Sequence, residues 1–276
     1  METEQEFLQK YNANDYERPS VTSDIIAFTI KFTEEDSYRH NPESVLQILL
    51  IKRKGHPFKN HWALPGGFLQ PDETIEECAY REVFEETGVK PDSLMLTGIY
   101  SNPKRDPRGW IITNAFATII SDKDIQATAG DDADEALWFD IAFGCDADNL
   151  YTLTLTHGDI AIHALLREKE TKFGKTEFII ENSGELAFDH AQIIATALTV
   201  LRSSAEKFEL IFDFLPEKFT LSALQQVQET IMNISVLSAN FRRKISSLVQ
   251  ETDEYTAGAG HRPAKLFTRK FKGCRP

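Results

Sequence analysis

Residues 67–89 read GFLQPDETIEECAYREVFEETGV, and this stretch decides the fold. Glu82, Glu85 and Glu86 stand at i, i+3 and i+4, so a helix places all three carboxylates on one face. Clustered carboxylates repel one another, and a hard divalent cation with oxygen ligands removes that repulsion. The stretch therefore predicts a helix whose three glutamates bind Mg²⁺ or Mn²⁺; the alternative is an acidic helix face that is only solvated.

The residues around this helix have the types that a phosphate-binding loop needs. Gly66 and Gly67 allow a close backbone approach before the helix. Asp72 is expected to cap the helix, and Gly88 is expected to end it. Arg81 lies four residues from an acidic side chain in each direction, so it can hold the acidic face together.

These features are typical of a site for a nucleoside diphosphate. Its phosphate oxygens bind divalent ions, which can polarise the phosphorus and activate a water, and then the three glutamates would be catalytic. Trp62 and Tyr100 fit a binding site and a hydrophobic core equally well. The predicted ligand-binding residues are Arg53, Trp62, Gly66, Gly67, Arg105 and Arg108.

Composition narrows the class of protein. The chain has 276 residues, enough for two domains, and 41% of them are hydrophobic, which supports folded cores. The apolar stretches are too short for a membrane span, and the N-terminus has no apolar signal region. The three cysteines show no pairing or metal spacing. We therefore expect a cytoplasmic protein with no membrane partner.

Hydrophobic patterns predict the remaining elements. A mixed sheet is expected from strands at 21–32, 45–52, 93–100, 110–120 and 135–141, with the acidic helix packed on it. Helices are predicted over 153–168 and 186–202, with strand and turn over 172–185 between them. This region is interpreted as a connector that offers a dimer surface; ordinary packing against the sheet is an equal alternative.

The C-terminal segment differs from the rest in charge. Residues 240–276 contain nine Lys or Arg and three acids, so they carry +6 in a chain of net charge −13. Such asymmetry favours an anionic partner. A helix over 219–232 with Thr220 as N-cap, a basic helix over 238–249 and a hairpin with its tip at 258–260 and a strand at 265–269 form a winged helix-turn-helix.

The basic helix and the wing supply the predicted DNA contacts. A small helical domain that binds a protein is the alternative. The predicted DNA-binding residues are Asn240, Arg242, Arg243, Lys244, Arg262 and Lys265.

The chain from about residue 20 resembles the Nudix-related transcriptional regulators of NAD metabolism, the NrtR family. Residues 67–89 match the Nudix box at every fixed position. The other matching segments are Arg105-Asp-Pro-Arg-Gly109, Leu186-Ala-Phe-Asp-His190, Phe219-Thr-Leu, Asn240-Phe-Arg-Arg-Lys-Ile245 and His261-Arg-Pro-Ala-Lys-Leu266.

The resemblance implies an α+β fold in three parts. These are a Nudix α/β/α sandwich with a mixed sheet over residues 20–157, a helical connector and dimer surface over 158–205, and a winged helix domain over 206–276. It further implies a homodimeric repressor of NAD metabolism genes that leaves a double-stranded DNA operator when ADP-ribose binds. The alternative is a Mg²⁺-dependent ADP-ribose pyrophosphatase that releases AMP and ribose 5-phosphate.

Overall fold

The computed structural model describes residues 2–32, 44–120, 133–169, 176–256 and 263–270. Its strands are β1 (Ser20–Phe32), β2 (Ser44–Arg53), β3 (Trp62–Ala63), β4 (Gly66–Phe68), β5 (Met95–Tyr100), β6 (Ile111–Ile119), β7 (Ala133–Cys145), β8 (Leu150–His157), β9 (Ile160–Lys169), β10 (Glu177–Asn182), β11 (Val249–Tyr255) and β12 (Lys265–Arg269). Its α-helices are α1 (Glu4–Lys10), α2 (Ile75–Thr87), α3 (His190–Glu206), α4 (Leu221–Met232) and α5 (Ser238–Ile245).

Strand β1 lies inside the main sheet, whose order is β10-β9-β8-β7-β2-β1-β6-β5. It pairs antiparallel with β2 and parallel with β6, so the sheet is mixed, as predicted. Neighbouring side chains of a strand point to opposite faces. Ile25 packs with Ala79 and Val83 of α2, whereas Ile26 belongs to the cluster that contains Leu198 of α3. Helices therefore cover both faces, which confirms the α/β/α sandwich.

Helix α2 carries the acidic stretch, and its N-terminus differs from the prediction. The N-cap is Thr74, whose hydroxyl accepts from the Glu77 amide while the Glu77 carboxylate accepts from the Thr74 amide. This reciprocal capping box satisfies two amides that a lone Asp72 upstream could not. The C-terminus agrees with the prediction, since Gly88 adopts a left-handed φ of 72°.

The prediction of a helix over 153–168 is wrong. Strands β8 and β9 form an antiparallel hairpin there, joined at Gly158, which has a φ of 54°. Leu153 and Leu155 are buried between exposed or half-buried neighbours, the alternation of a strand. Because β10 continues the sheet beyond β9, the region predicted as a helical connector is an extension of the sheet followed by α3. Strand β10 itself agrees with the strand predicted within 172–185, of which residues 172–175 lie outside the described residues.

The C-terminal part has the predicted order of elements. Thr220 caps α4 by accepting from the Ala223 amide, and α4 ends at Asn233, which is left-handed with a φ of 52°. Helix α5 ends at Ile245, four residues earlier than predicted, because the chain turns into β11. Strands β11 and β12 pair as the wing, whose predicted tip at 258–260 lies outside the described residues.

A continuous hydrophobic cluster joins the sheet to the winged helix. It contains Phe28 of β1, Leu198 of α3, Leu224 of α4 and Phe241 of α5, each 0 or 1% exposed. Helix α3 therefore packs on both parts of the chain and connects them through buried side chains. In the described part of the chain, no helix is long and apolar enough to cross a membrane.

Candidate functional site

A pocket of about 720 Å³ opens between the second half of α2, residues 66–71 before that helix, strands β1 and β2, and the segment before α3. This volume lies within the range of small-molecule sites. Three arginines and four acids line it together with aromatic and glycine residues. These charged residues are Arg53, Arg105, Arg108, Asp24, Glu82, Glu86 and Asp106.

Two glycines bring the backbone against the acidic helix. The Gly66 amide donates to the Glu86 carboxylate at 2.7 Å. A Cβ on Gly67 would collide with the carboxylate of Glu82. Glycine is therefore needed at 67 for the Glu82 side chain to lie against this backbone. This supports the prediction that Gly66 and Gly67 allow a close approach at the pocket.

Arg81 organises the outer acidic residues of α2. Its guanidinium lies 2.6 Å from carboxylate oxygens of both Glu73 and Glu82 and 3.1 Å from Glu85. The hydrogen bonds from Arg81 hold the pKa of Glu73 at about 2. Arg81 therefore ties the acidic face together as predicted, with Glu73 in place of Glu77, whose carboxylate is used by the cap.

The inner glutamates have a different environment. Burial raises the pKa of Glu86 to about 8, against the lowering effect of the Gly66 amide. Burial also raises the pKa of Glu82, although Arg81 opposes it. Both raised pKa values have the same first cause, since burial removes the water that would stabilise the negative charge.

The glutamates of α2 are also the candidate ligands of a metal ion. Among the described residues, no group of three His, Cys, Asp or Glu side chains converges to hold an ion. Glu82 and Glu85 turn to Arg81, and Glu86 turns to Gly66. The donor set is nonetheless made of carboxylate oxygens alone, and a hard divalent cation would compensate the two glutamates whose pKa values are raised. The residues therefore fit a divalent ion in chemistry.

Arg105 is an internal ion-pair residue at the base of the pocket. It is 8% exposed and donates to both carboxylate oxygens of Asp189, at 2.9 and 2.7 Å. It also reaches Asp24 of β1 at 3.3 Å. Asp189 is the N-cap residue of α3. Arg105 therefore fixes the start of α3 to the central sheet.

His190 adds a second connection at the same place. Its Nδ1 accepts from the Leu64 amide at 2.9 Å, and its Nε2 lies 3.9 Å from Asp24. Burial lowers the pKa of His190 to about 3, so the ring is neutral and Nδ1 is free to accept. The first residue of α3 is therefore bound to the backbone between β3 and β4.

Arginine and aromatic side chains alternate along one wall of the pocket. The Arg108 guanidinium carbon lies 5.0 Å from the Phe68 ring centroid and 5.5 Å from that of Phe188. Arg53 lies 5.0 Å from the Phe188 ring. The Asp106 carboxylate accepts hydrogen bonds from the backbone amide, Nε and Nη2 of Arg108 and fixes its orientation. This wall offers both positive charge and flat apolar surface.

The predicted role of Trp62 as a ligand contact is wrong. Its side chain is 2% exposed and packs edge-on against Phe139 at 4.7 Å between centroids. Alternation along β3 turns it into the core, away from the pocket-lining residues. Tyr100, the second aromatic in question, is half-buried, and burial raises its pKa to about 12. Both therefore have core positions.

Sequence reasoning gave no role to four residues that shape the pocket: Asp24, Asp106, Phe188 and His190. Asp24 was detectable, since it is a charged residue directly before the apolar run at residues 25–28 of β1. The others lie within the segments 105–109 and 186–190 that resemble the NrtR family, although no pattern within one element relates them to Asp24. Only the folded sheet brings positions 24, 105 and 189 together.

The second candidate surface is the exposed face of α5. Phe241 and Ile245 are buried, whereas Asn240, Arg242, Arg243 and Lys244 are exposed on the remaining faces. Glu229 of α4 accepts from the Val236 amide at 2.7 Å, which fixes the turn between the two helices. On the wing, Lys265 pairs with Glu251 at 2.6 Å, and Arg262 lies outside the described residues.

Comparison with family models agrees with this division of the chain. Residues 38–143 match the NUDIX domain. Residues 211–268 match the NrtR DNA-binding winged helix domain. The two matches contain the acidic helix and the basic helix, respectively.

Individual relatives extend the agreement to nearly the whole chain. The ADPR responsive transcriptional repressor NtrR of Acinetobacter baylyi is 30% identical over 269 residues, covering 96% of this chain and 88% of the relative. An ADP-ribose pyrophosphatase of Methanocaldococcus jannaschii is 46% identical over 114 residues, covering 41% of this chain and 63% of the relative.

A solved structure shares both domains. The crystal structure of Shewanella oneidensis NrtR complexed with a 27mer DNA is 27% identical to this chain, with a TM-score of 0.61. The match covers 91% of this chain and 93% of that one. Because both domain models match and a relative is 30% identical over 96% of this chain, the chain belongs to the NrtR family of Nudix-related transcriptional regulators.

Proposed function

We propose that this protein is a transcriptional repressor of NAD metabolism genes that releases its DNA operator when ADP-ribose binds in the Nudix pocket. The observation that carries the proposal is that the basic, exposed helix α5 packs on the same hydrophobic cluster as the sheet that forms the charged pocket of about 720 Å³. The A. baylyi relative, named an ADPR responsive transcriptional repressor, matches 96% of this chain, including both parts.

The pocket residues divide by the part of the ligand that they suit. Arg53 and Arg108 supply positive charge for the diphosphate, and the Gly66–Gly67 backbone allows its close approach. The exposed ring of Phe68 and the half-buried ring of Phe188 offer flat surfaces for adenine. Arg105 acts differently, since its guanidinium is occupied by Asp189 and Asp24 and it positions the wall of the pocket.

A divalent ion, Mg²⁺ or Mn²⁺, is proposed at Glu82, Glu85 and Glu86. When bound, it would neutralise charge on the diphosphate and bridge the ligand to α2. The chain's own contribution is to hold Glu86 beside the Gly66 amide and to keep Glu82 and Glu85 on Arg81.

For DNA, α5 is the element proposed to enter the major groove, as the second helix of a helix-turn-helix does. Asn240, Arg242, Arg243 and Lys244 would contact bases and phosphates there. Arg262 and Lys265 on the wing would contact the backbone. For Lys265 this requires exchange of its partner Glu251 for a phosphate, which is feasible since the Glu251 side chain is exposed and that of Lys265 is partly exposed.

A homodimer on a two-fold symmetric operator is part of the proposal, because symmetric half-sites match symmetric proteins. The division into a Nudix domain at 20–157, a connecting region at 158–205 and a DNA-binding domain at 206–276 is retained as a functional division. The connecting region holds β9, β10 and α3, and α3 is its part that contacts both neighbours.

The test begins with selection of an operator from random duplex DNA by the full-length protein. Operator affinity is then measured with increasing ADP-ribose, and with NAD and AMP as controls. We expect ADP-ribose to weaken operator binding by about 10-fold or more, within the usual range of allosteric coupling. Unchanged affinity at saturating ADP-ribose would contradict the ligand-release proposal.

A second candidate function is hydrolysis of ADP-ribose to AMP and ribose 5-phosphate. The M. jannaschii relative, named an ADP-ribose pyrophosphatase, is 46% identical over its match, and all three box glutamates are present in this chain. The two functions are compatible if hydrolysis is slow compared with release of DNA.

A further inference from the structure

Helix α3 contacts the pocket at its start and the winged helix at its end. At the start, Phe188 and His190 line the pocket, and Asp189 is held by Arg105. The helix has 17 residues and is therefore about 25 Å long. A shift of the pocket wall thus acts directly on one end of a rigid element whose other end reaches the DNA-binding part.

The segment before α3 is also bound to strand β3 by backbone hydrogen bonds. The Trp62 amide donates to the Glu185 carbonyl at 3.0 Å, and the Ala187 amide donates to the Trp62 carbonyl at 2.8 Å. Phe188 follows with a φ of 52°, a conformation that a bulky side chain adopts only when its surroundings hold it there. A ligand that contacts Phe188 therefore acts on a constrained junction.

Near the other end, Arg202 connects three elements. Its Nη2 donates to the Phe143 carbonyl of β7 at 2.8 Å, and its Nε donates to the Ile231 carbonyl of α4 at 3.2 Å. Its guanidinium carbon also lies 5.2 Å from the Phe143 ring. One side chain on α3 thus reaches both the Nudix sheet and the first helix of the winged helix.

The geometry around Arg202 leaves room for movement. A space of about 600 Å³ lies beside it, bordered by β7, β8, α3 and the end of α4. Direct polar contact between β2 and α4 includes the Ser44–Thr230 hydroxyl pair at 2.5 Å. Because this space lies beside the shared hydrophobic cluster, the polar contacts at its edge can determine the angle between the two parts.

We infer that Arg202 is a positioning residue that sets the orientation of the winged helix relative to the Nudix sheet, and that α3 transmits the ligand state of the pocket to it. The inference rests on the proposed function for its ligand and its DNA. Binding energy at Phe188 displaces α3, and Arg202 converts this displacement into rotation of α4 and α5.

The test compares Arg202→Met with Arg167→Met. Met keeps the apolar stem but removes the donors, and Arg167 is an exposed arginine paired with Glu181 between β9 and β10. We expect Arg202→Met to bind ADP-ribose with an affinity within about threefold of wild type. The ratio of operator affinities without and with ADP-ribose should fall from about 10 to near 1. Arg167→Met should keep the wild-type ratio.

A structural readout separates this inference from the proposed function. Fluorescent labels are placed at Asp159→Cys and Ser247→Cys after replacement of Cys78, Cys145 and Cys274, and labelled chains are mixed with an excess of unlabelled protein. Energy transfer then measures the distance between sheet and winged helix within one chain. Arg202→Met should broaden the distance distribution and abolish its shift on addition of ADP-ribose.

The outcomes distinguish the positioning role of Arg202 from the proposed function. If Arg202→Met keeps the wild-type distance distribution or the wild-type affinity ratio, the positioning role is overturned. If wild type shows no response of DNA binding to ADP-ribose while Arg202→Met still broadens the distribution, the proposed function fails and the positioning role stands.

Discussion

Glu86 is a half-buried carboxylate whose charge the surrounding protein does not fully stabilise. Its pKa is raised to about 8 from an ordinary value of 4.5, chiefly by burial. A group whose pKa is raised by folding binds a proton more tightly in the folded state. Its stabilising contribution is therefore complete below pH 4.5 and is lost as the pH rises through 8.

Glu86→Gln should remove this pH dependence. Gln keeps an oxygen that can accept from the Gly66 amide, and it carries no charge. In buffer without divalent ions, we expect the variant to exceed wild type in stability above pH 8, by on the order of 1–3 kcal/mol. The two proteins should have similar stability near pH 5. Thermal unfolding across this pH range measures the difference.

Added Mg²⁺ serves as the control for this prediction. It should raise the melting temperature of wild type at pH 8 but not that of Glu86→Gln, because the ion compensates the charge that the variant lacks.

The same samples, incubated with ADP-ribose and Mg²⁺, test hydrolysis by AMP release. Turnover in wild type that the variant loses would support the hydrolase candidate; a wild-type melting curve that does not change with pH would contradict the role of Glu86.

At the scale of elements, local hydrophobic patterns predicted the type and position of an element wherever that element buries one periodic face. The thirteen-residue strand β1 and the acidic helix α2 lie where their sequences placed them. The prediction for residues 153–168 was wrong because Ile162, Leu165 and Leu166 stand at i, i+3 and i+4, which is also the spacing of a helix face. The hairpin signal was Gly158-Asp159 between two alternating runs, and it should have taken precedence.

The candidate site shows the same limit. The acidic residues of α2 and the glycines before it form a local motif, so the sequence was sufficient to find them. The network of Asp24, Arg105 and Asp189 joins residues 81 and 84 positions apart. No pattern within one element indicates such a network, and only the pairing of β1 with its neighbours and the packing of α3 create it.

The prediction at the scale of elements concerns helix α5. Arg243→Ala should weaken operator binding by about 1–3 kcal/mol, or by a smaller, sequence-independent amount if Arg243 contacts only phosphate. Its side chain is exposed, so folding and ADP-ribose affinity should not change. Fluorescence anisotropy at several salt concentrations measures both affinity and salt dependence. If the variant and wild type bind the operator equally, α5 is misplaced as the recognition helix; Arg167→Ala is the matched control.

For the whole molecule, the continuous core has a thermodynamic consequence. The cluster that contains Phe28 of the sheet also contains Leu201 of α3 and Phe241 and Ile245 of α5. Gln228 of α4 donates to the Ala205 carbonyl at the end of α3 at 3.2 Å. The two matched domains are therefore not separated by a solvated linker, and loss of packing in one exposes apolar surface of the other.

We therefore predict a single cooperative unfolding transition for the whole chain. Phe241→Ala, which removes a side chain 0% exposed in α5, should lower that one transition, with a cost of about 3–5 kcal/mol. ADP-ribose at 100 times its dissociation constant should raise the free energy of unfolding of wild type by about 2.7 kcal/mol, although the ligand contacts only the Nudix pocket. Scanning calorimetry measures both effects, and hydrogen exchange at the Phe241 amide should slow when ADP-ribose is added. Two transitions in Phe241→Ala, with the Nudix part melting at its wild-type temperature, would show that the winged helix unfolds alone and that the shared core does not couple the two parts.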